Sequence, residues 1–244
     1  MFEHGHGAPI VMIPGLPGPW RFIAPAVHAV AAHYRVLTLS LGPECTLDDD
    51  VERIRRALDE RKIDRAIICG ISLGGLHALR FAATYPARTS ALILVSTPGP
   101  GAELRPRHRL YARWPRLFGP LFLLETPFQL RHEWRWSLLK TLLGRPVSFV
   151  KMARRALLIE STDIAADCAK VTSPTFVVTG EQAFDHVVPV ESSLNLLKAI
   201  PGAHHVELKG TGHLGSITHA QDFARIVQAS DESSTRNPGS RRTA

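Results

Sequence analysis

The chain has 244 residues, 45% of them apolar and 21% charged, a balance that suits one large α/β domain and excludes disordered, collagen-like and disulfide-scaffold classes. Its net charge of +7 belongs to a single segment: residues 101–165 hold ten arginines and two lysines against Glu103, Glu125, Glu133, Glu160 and Asp163, while the remainder sums to zero. Charge concentrated in this way argues against a diffuse nucleic-acid-binding character. No apolar run reaches the roughly 18–20 residues that span a bilayer. The opening Met-Phe-Glu-His-Gly-His-Gly lacks the basic and apolar regions of a secretory signal, so a cytoplasmic location is expected.

In chain order, Pro9 to Ile13 is an apolar run stopped by Pro14-Gly15 and reads as a buried strand. Pro25 to Ala32 is an Ala-rich helical stretch, and Tyr34 to Leu39 a second strand. From Leu47 to Arg61 the apolar residues Leu47, Val51, Ile54 and Leu58 recur at spacings of three and four, the period of an amphipathic helix. Thr46 is its candidate N-cap, and three aspartates follow in the first turn, where the helix dipole favours them. Further strands are predicted over Arg65 to Cys69, Ala91 to Val95, Thr175 to Thr179 and His205 to Leu208. The intervening helices are predicted from Leu76 to Tyr85, in a segment ending over Leu194 to Ala199, and from Ala220 to Ala229. Strands alternating with helices imply a mostly parallel sheet covered on both faces. The three cysteines, Cys45, Cys69 and Cys168, are too few and too widely spaced for a disulfide framework or a zinc site, and Cys69 reads as core.

Chemistry is concentrated at Gly70-Ile71-Ser72-Leu73-Gly74-Gly75, a G-x-S-x-G motif with an apolar strand leading in and a helix leading out. Side chains two positions either side of Ser72 would collide in a turn this tight, and Gly70 and Gly74 remove them. The turn lifts the Ser72 hydroxyl above the sheet edge and sets the Leu73 N–H at a helix N-terminus, aimed at a developing oxyanion. A serine hydroxyl needs a base to take its proton, and twelve histidines compete for the role. His213 lies in a Gly-rich loop, Lys209 to Gly215, directly after the last strand. His204 and His205 open that strand, His219 starts the last helix, and His77 reads as packing on the helix after Ser72.

With these residues in place the chain resembles the α/β-hydrolase family over roughly residues 9 to 229, in a form common among its esterases and enol-lactonases. The resemblance implies the order serine, acid, histidine, with Ser72 as nucleophile and His213 as general base. It places the orienting acid in Gly180 to Pro189, which is similar to the family's G-x-x-D-x-x-V-P segment: Asp185 is in register counted back from Val188-Pro189 and two residues late counted from Gly180, with Glu181 the alternative. It also implies that Leu16, one past Gly15, supplies the second oxyanion donor beside Leu73. The family often has His-Gly in that loop, where this chain has Pro14-Gly15-Leu16-Pro17-Gly18-Pro19. The segment before Pro9 is too short for the two strands that open the family's sheet, so about six strands are expected.

Residues 1–98 and 169–229 are expected to form the hydrolase core, residues 99–168 a helical lid inserted after the strand at 91–95, and residues 230–244 a disordered tail. The lid interleaves arginines with aromatics. Its arginines face solvent, bind a carboxylate or phosphate on the substrate, or touch anionic membrane or acidic carrier surfaces, and the sequence does not choose among these. Gly15 and Trp20 in the first loop and Trp114 and Trp134 in the lid are the candidate substrate-binding residues. The leading function is hydrolysis of a small-molecule carboxylic ester through an acyl-enzyme, with no cofactor or metal; oligomeric state is not encoded legibly. An enol-lactone, thioester or C–C substrate for the same residues, or a non-catalytic hydrolase-like receptor, are the competing readings.

Overall fold

The computed structural model describes residues 1–42, 46–119, 121 and 148–236. Among these, seven strands form one sheet: β1 (Phe2–His4), β2 (Pro9–Ile13), β3 (Arg35–Thr38), β4 (Ala66–Ile71), β5 (Thr89–Val95), β6 (Thr175–Thr179) and β7 (His204–Glu207), in the spatial order β1-β3-β2-β4-β5-β6-β7. Every pairing is parallel except that of β1 with β3. The strand beyond the expected six is β1. Three residues carry too little pattern to read as a strand, yet Phe2 pairs with Thr38 and His4 with Val36. Glu3 ties this edge down through Arg35 at 2.6 Å and Arg61 at 2.8 Å.

Side chains alternate across the sheet, so each strand feeds two cores. Val11, Leu37, Ile68, Leu92 and Val177 pack against the helices α2 (Leu47–Glu60) and α3 (Gly74–Thr84). Ile10, Val36, Ile67, Ile93 and Val178 face the opposite way, toward α1 (Ala24–Val30) and the C-terminal helix. The N-cap of α2 is Thr46, whose hydroxyl accepts the Asp49 N–H at 3.2 Å. Cys69 is fully buried, and burial pushes its thiol up to about 12, which leaves it an unreactive core residue.

Between β5 and β6 the described chain forms α4 (Pro106–Arg113), α5 (Phe149–Ser161) and α6 (Ala165–Lys170). Helices α4 and α5 pack together, whereas α6 packs on α3. Ile164, Cys168 and Val171 belong to the α2–α3 core, so the sheet-covering layer resumes at about residue 164, ahead of the expected 169. After β6 come α7 (Val190–Ala199), the short α8 (Gly215–Thr218) and α9 (Ala220–Arg236).

Helix α9 corrects the expectation that the chain loses order at residue 230. Its last turns are polar, so they carry no apolar period, but they are fastened. Ser230 is buried and its hydroxyl donates to the Ile226 carbonyl at 2.8 Å, and the Tyr34 hydroxyl donates to Asp231 at 3.1 Å. Burial and the Asp231 charge both raise the Tyr34 pKa. Tyr34→Phe is expected to cost about 0.5–1.5 kcal/mol. In a chain of this length that is a fall of about 1–6 °C in Tm, read by thermal unfolding.

Candidate active site

The strand order reverses at β2, which pairs with β3 on one side and β4 on the other. The loops that leave β2 and β4 therefore depart to opposite faces and open a crevice at the C-terminal sheet edge, where ligands bind in such folds. Ser72 sits on that edge at φ +54°, in the left-handed region, a conformation that costs a non-glycine residue about 1–3 kcal/mol. Its N–H donates to the Val95 carbonyl at 2.7 Å, and its carbonyl accepts from Gly75 at 2.9 Å, which pins the turn. A Cβ at Gly70 would overlap the Gly74 carbonyl, and one at Gly74 the Ile13 carbonyl. Only glycines let the strand, the turn and the helix approach this closely.

His213 stands in the loop after β7. Its Nε2 is 3.0 Å from Ser72 Oγ, and its Nδ1 is 3.1 Å from Asp185 Oδ2. Asp185 is 5% exposed, and its second oxygen accepts the N–H groups of Val187 and Val188, each at 3.0 Å. Burial acts to raise its pKa, but the His213 charge and hydrogen bond together with those two N–H groups outweigh it, and the carboxyl is held below its ordinary value. The two residues that put Asp185 late from Gly180 are absorbed in one tight turn, in which Phe184 and Asp185 both donate to the Glu181 carbonyl. Glu181 itself accepts the Gly210 N–H at 2.5 Å, and its own N–H donates to the Thr211 carbonyl at 2.8 Å. It holds the histidine loop through these two bonds to its backbone, and the hydrogen bond to the ring is made by Asp185.

Leu73 is the N-cap of α3, and Leu16 follows Gly15, whose Cβ position lies 3.2 Å from the Ser72 Cβ. Among the described residues no carbonyl or side chain takes up the N–H of Leu16 or Leu73. A cavity of about 400 Å³ opens over Ser72 and His213. Its walls are mostly apolar: Gly15 and Leu16 take part, as do Phe22, Tyr111, Met152 and Val187. Two of the aromatic residues singled out in the sequence stand elsewhere. Trp20 stacks on Phe2 with ring centroids 4.0 Å apart, because the 3-10 turn Trp20–Ile23 directs Phe22 and Ile23 inward instead. Trp114, the residue that caps the C-terminus of α4, is 54% exposed and does not line the cavity. Trp134 lies outside the described residues. The wall residues Met152, Ala153, Ala156 and Ile159 were not singled out, although their three- and four-residue spacing marks one helix face.

The alpha/beta hydrolase family model matches residues 10–226, and the chain belongs to that family. The 2-hydroxy-6-oxononadienedioate/2-hydroxy-6-oxononatrienedioate hydrolase of Cupriavidus pinatubonensis is 28% identical, over 92% of this chain and 83% of its own length. Among solved structures, the enol-lactonase from Burkholderia xenovorans LB400 superposes with a TM-score of 0.75 at 24% identity, covering 94% of each chain. The bromoperoxidase from Bacillus anthracis gives 0.76 at 24% identity, over 95% of this chain and 94% of that one. At this identity the two structures speak to the fold. No helix among the described residues is long and apolar enough to cross a membrane.

Because the Asp185 pKa is lowered by folding, its contribution to stability is complete above the ordinary aspartate value of about 4 and is lost as pH falls through the lowered one. Urea unfolding between pH 6 and 3 is therefore expected to fall more steeply for the wild type than for Asp185→Asn at the acid end, with parallel behaviour above about pH 5.

Proposed function

We propose that the chain hydrolyses a small-molecule carboxylic ester through an acyl-enzyme, with Ser72 as nucleophile, His213 as general base and acid, and Asp185 as the group that orients it. The observation that carries this reading is the His213 ring bridging Ser72 Oγ and Asp185 Oδ2 at 3.0 and 3.1 Å. Ser72 Oγ attacks the carbonyl carbon as its proton passes to His213 Nε2. The carbonyl oxygen becomes an oxyanion held by the Leu16 and Leu73 N–H groups, each worth about 10²–10³ in rate by analogy with other oxyanion donors. Collapse expels the alcohol, which takes the proton from His213. Water then gives a proton to His213 and attacks the acyl carbon, and collapse releases the acid as Ser72 Oγ takes that proton back from His213. The buried Asp185 carboxylate favours the tautomer with hydrogen on Nδ1 and stabilises the imidazolium that forms.

In this reading α4 and α5 serve as part of a cap, with α5 as one wall of the cavity. The mostly apolar lining suits an apolar acyl or alcohol group. A second reading keeps the same residues and replaces the simple ester by an enol-lactone or an oxo acid. The 28% identical oxo-dienedioate hydrolase favours it.

Nitrophenol release from acyl esters of increasing chain length tests the proposal. Wild type is expected to turn over short esters. Ser72→Ala should lose at least about 10⁴-fold in kcat, and Asp185→Asn roughly 10⁴-fold through the wrong tautomer. A folded wild type inert to every ester but active on an enol-lactone or oxo acid would move the assignment to the second reading.

A further inference from the structure

One arginine of the basic segment is neither in solvent nor in the cavity. Arg155, on α5, is 4% exposed, and among the described residues it has no carboxylate partner. Its Nη1 donates to the carbonyls of Leu16 at 3.3 Å and Pro17 at 2.9 Å. Its Nη2 donates to those of Leu41 and Gly42, both at 3.2 Å. Its Nε is buried with no acceptor. Burying a guanidinium without an anion is expensive, and an apolar side chain would fill the same volume more favourably. What the planar fork supplies is a grip on two loops at once. The β2 loop is shaped to admit it: Gly18 lies at φ +93°, where a Cβ would run into the guanidinium.

The grip falls on the backbone of an oxyanion donor. Gly15 packs against Ser72 on one side of Leu16, and the Leu16 and Pro17 carbonyls are drawn to Arg155 on the other. The peptide that carries the Leu16 N–H is thereby fenced from both ends. The contacts continue beyond the arginine. The Gly42 N–H donates to Asp50 at 3.2 Å, Asp50 lies 3.4 Å from His77 Nε2, and His77 Nδ1 is 3.3 Å from the Leu73 carbonyl. Asp50 and His77 are 2% and 1% exposed. One chain of polar contacts thus runs from the carbonyl of Leu16 to the carbonyl of Leu73, the two residues whose N–H groups face the oxyanion in the proposed reaction.

We propose that Arg155 is a positioning residue that fixes the oxyanion hole: it holds Leu16 directly and reaches Leu73 through Gly42, Asp50 and His77. This rests on the serine-hydrolase reading above. Because α5 also lines the cavity through Met152 and Ala156, the same helix that meets the substrate sets the geometry that stabilises its oxyanion.

The test compares wild type, Arg155→Gln, Arg155→Lys and His77→Phe on a short nitrophenyl ester, with active sites counted from the nitrophenol burst. A short alkyl boronic acid, whose tetrahedral adduct with Ser72 uses the same donors, is titrated as inhibitor. Arg155→Gln is expected to lose about 30- to 100-fold in kcat per active site, somewhat less than deletion of a donor. Its KM should stay within about threefold, because the ester binds before the oxyanion forms. Boronate affinity should weaken by a similar factor, Arg155→Lys should recover part of both losses, and His77→Phe should show the same pattern from the other end. Wild-type kcat per site and wild-type boronate affinity in Arg155→Gln, with only Tm lowered, would overturn the proposal. If Arg155→Gln does not fold, unchanged per-site constants in Arg155→Lys would do so. A folded wild type that neither turns over the ester nor binds the boronate would remove the serine-hydrolase reading, and the proposal with it.

Discussion

The site depends on one constraint, a left-handed backbone at Ser72 squeezed between a central strand and the helix that follows it. With φ at +54° and a buried strand behind, the turn exists only because Gly70 and Gly74 leave room for the carbonyls of Gly74 and Ile13. The strain is held by the Ser72 N–H on Val95 and by the two cores that clamp β4 and α3. Released from those contacts, the serine would fall back to an ordinary turn and its hydroxyl would drop away from His213. The fold therefore serves the site chiefly by making one unfavourable dihedral angle the only one available.

Burial organises the rest. Asp185 would be neutralised in its pocket if His213 and two backbone N–H groups did not favour its charge. Asp50 is in a similar position: burial works to raise its pKa, and His77, Arg53 and the Gly42 N–H bring it below the ordinary value. Two buried carboxylates, each beside a histidine, thus lie on opposite sides of the Ser72 turn. One is turned to His213, whose far ring nitrogen meets the Ser72 hydroxyl. The other lies behind the helix that carries Leu73 and is linked to the β2 loop through Gly42 and Arg155. Polar groups taken out of water hold a single geometry when they are satisfied, which is what an oxyanion site requires.

Much of this was legible in the sequence, for reasons that are local. A strained serine turn needs glycines at fixed offsets, and buried parallel strands need unbroken apolar runs, so β2, β4, β5, β6 and Ser72 could be read directly. His213 and Asp185 were placed by the resemblance in the loops after the last two strands, and the structure brings His213 to Ser72 and Asp185 to His213. What escaped depended on distant partners. Three residues at the N-terminus pair as β1 along β3, with Glu3 held by Arg35 and Arg61, partners distant in the sequence. The polar end of α9 is helical through Tyr34, nearly two hundred residues away in sequence. Trp20 and Trp114 have the right chemistry for a pocket wall, but Trp20 is taken up by the ring of Phe2 and Trp114 stands in solvent. Arg155 was hidden among ten arginines of one basic segment, and only the loops folded around it set it apart.

The central claim is that Ser72 is acylated during turnover. The most direct measurement is the mass of the peptide carrying Ser72 after rapid acid quench of the wild type with a slowly released acyl ester. The account predicts one added acyl group on Ser72, present within the first turnover and absent in His213→Ala. Nitrophenol release with no added mass on that peptide, or with the acyl group on a different residue, would contradict it.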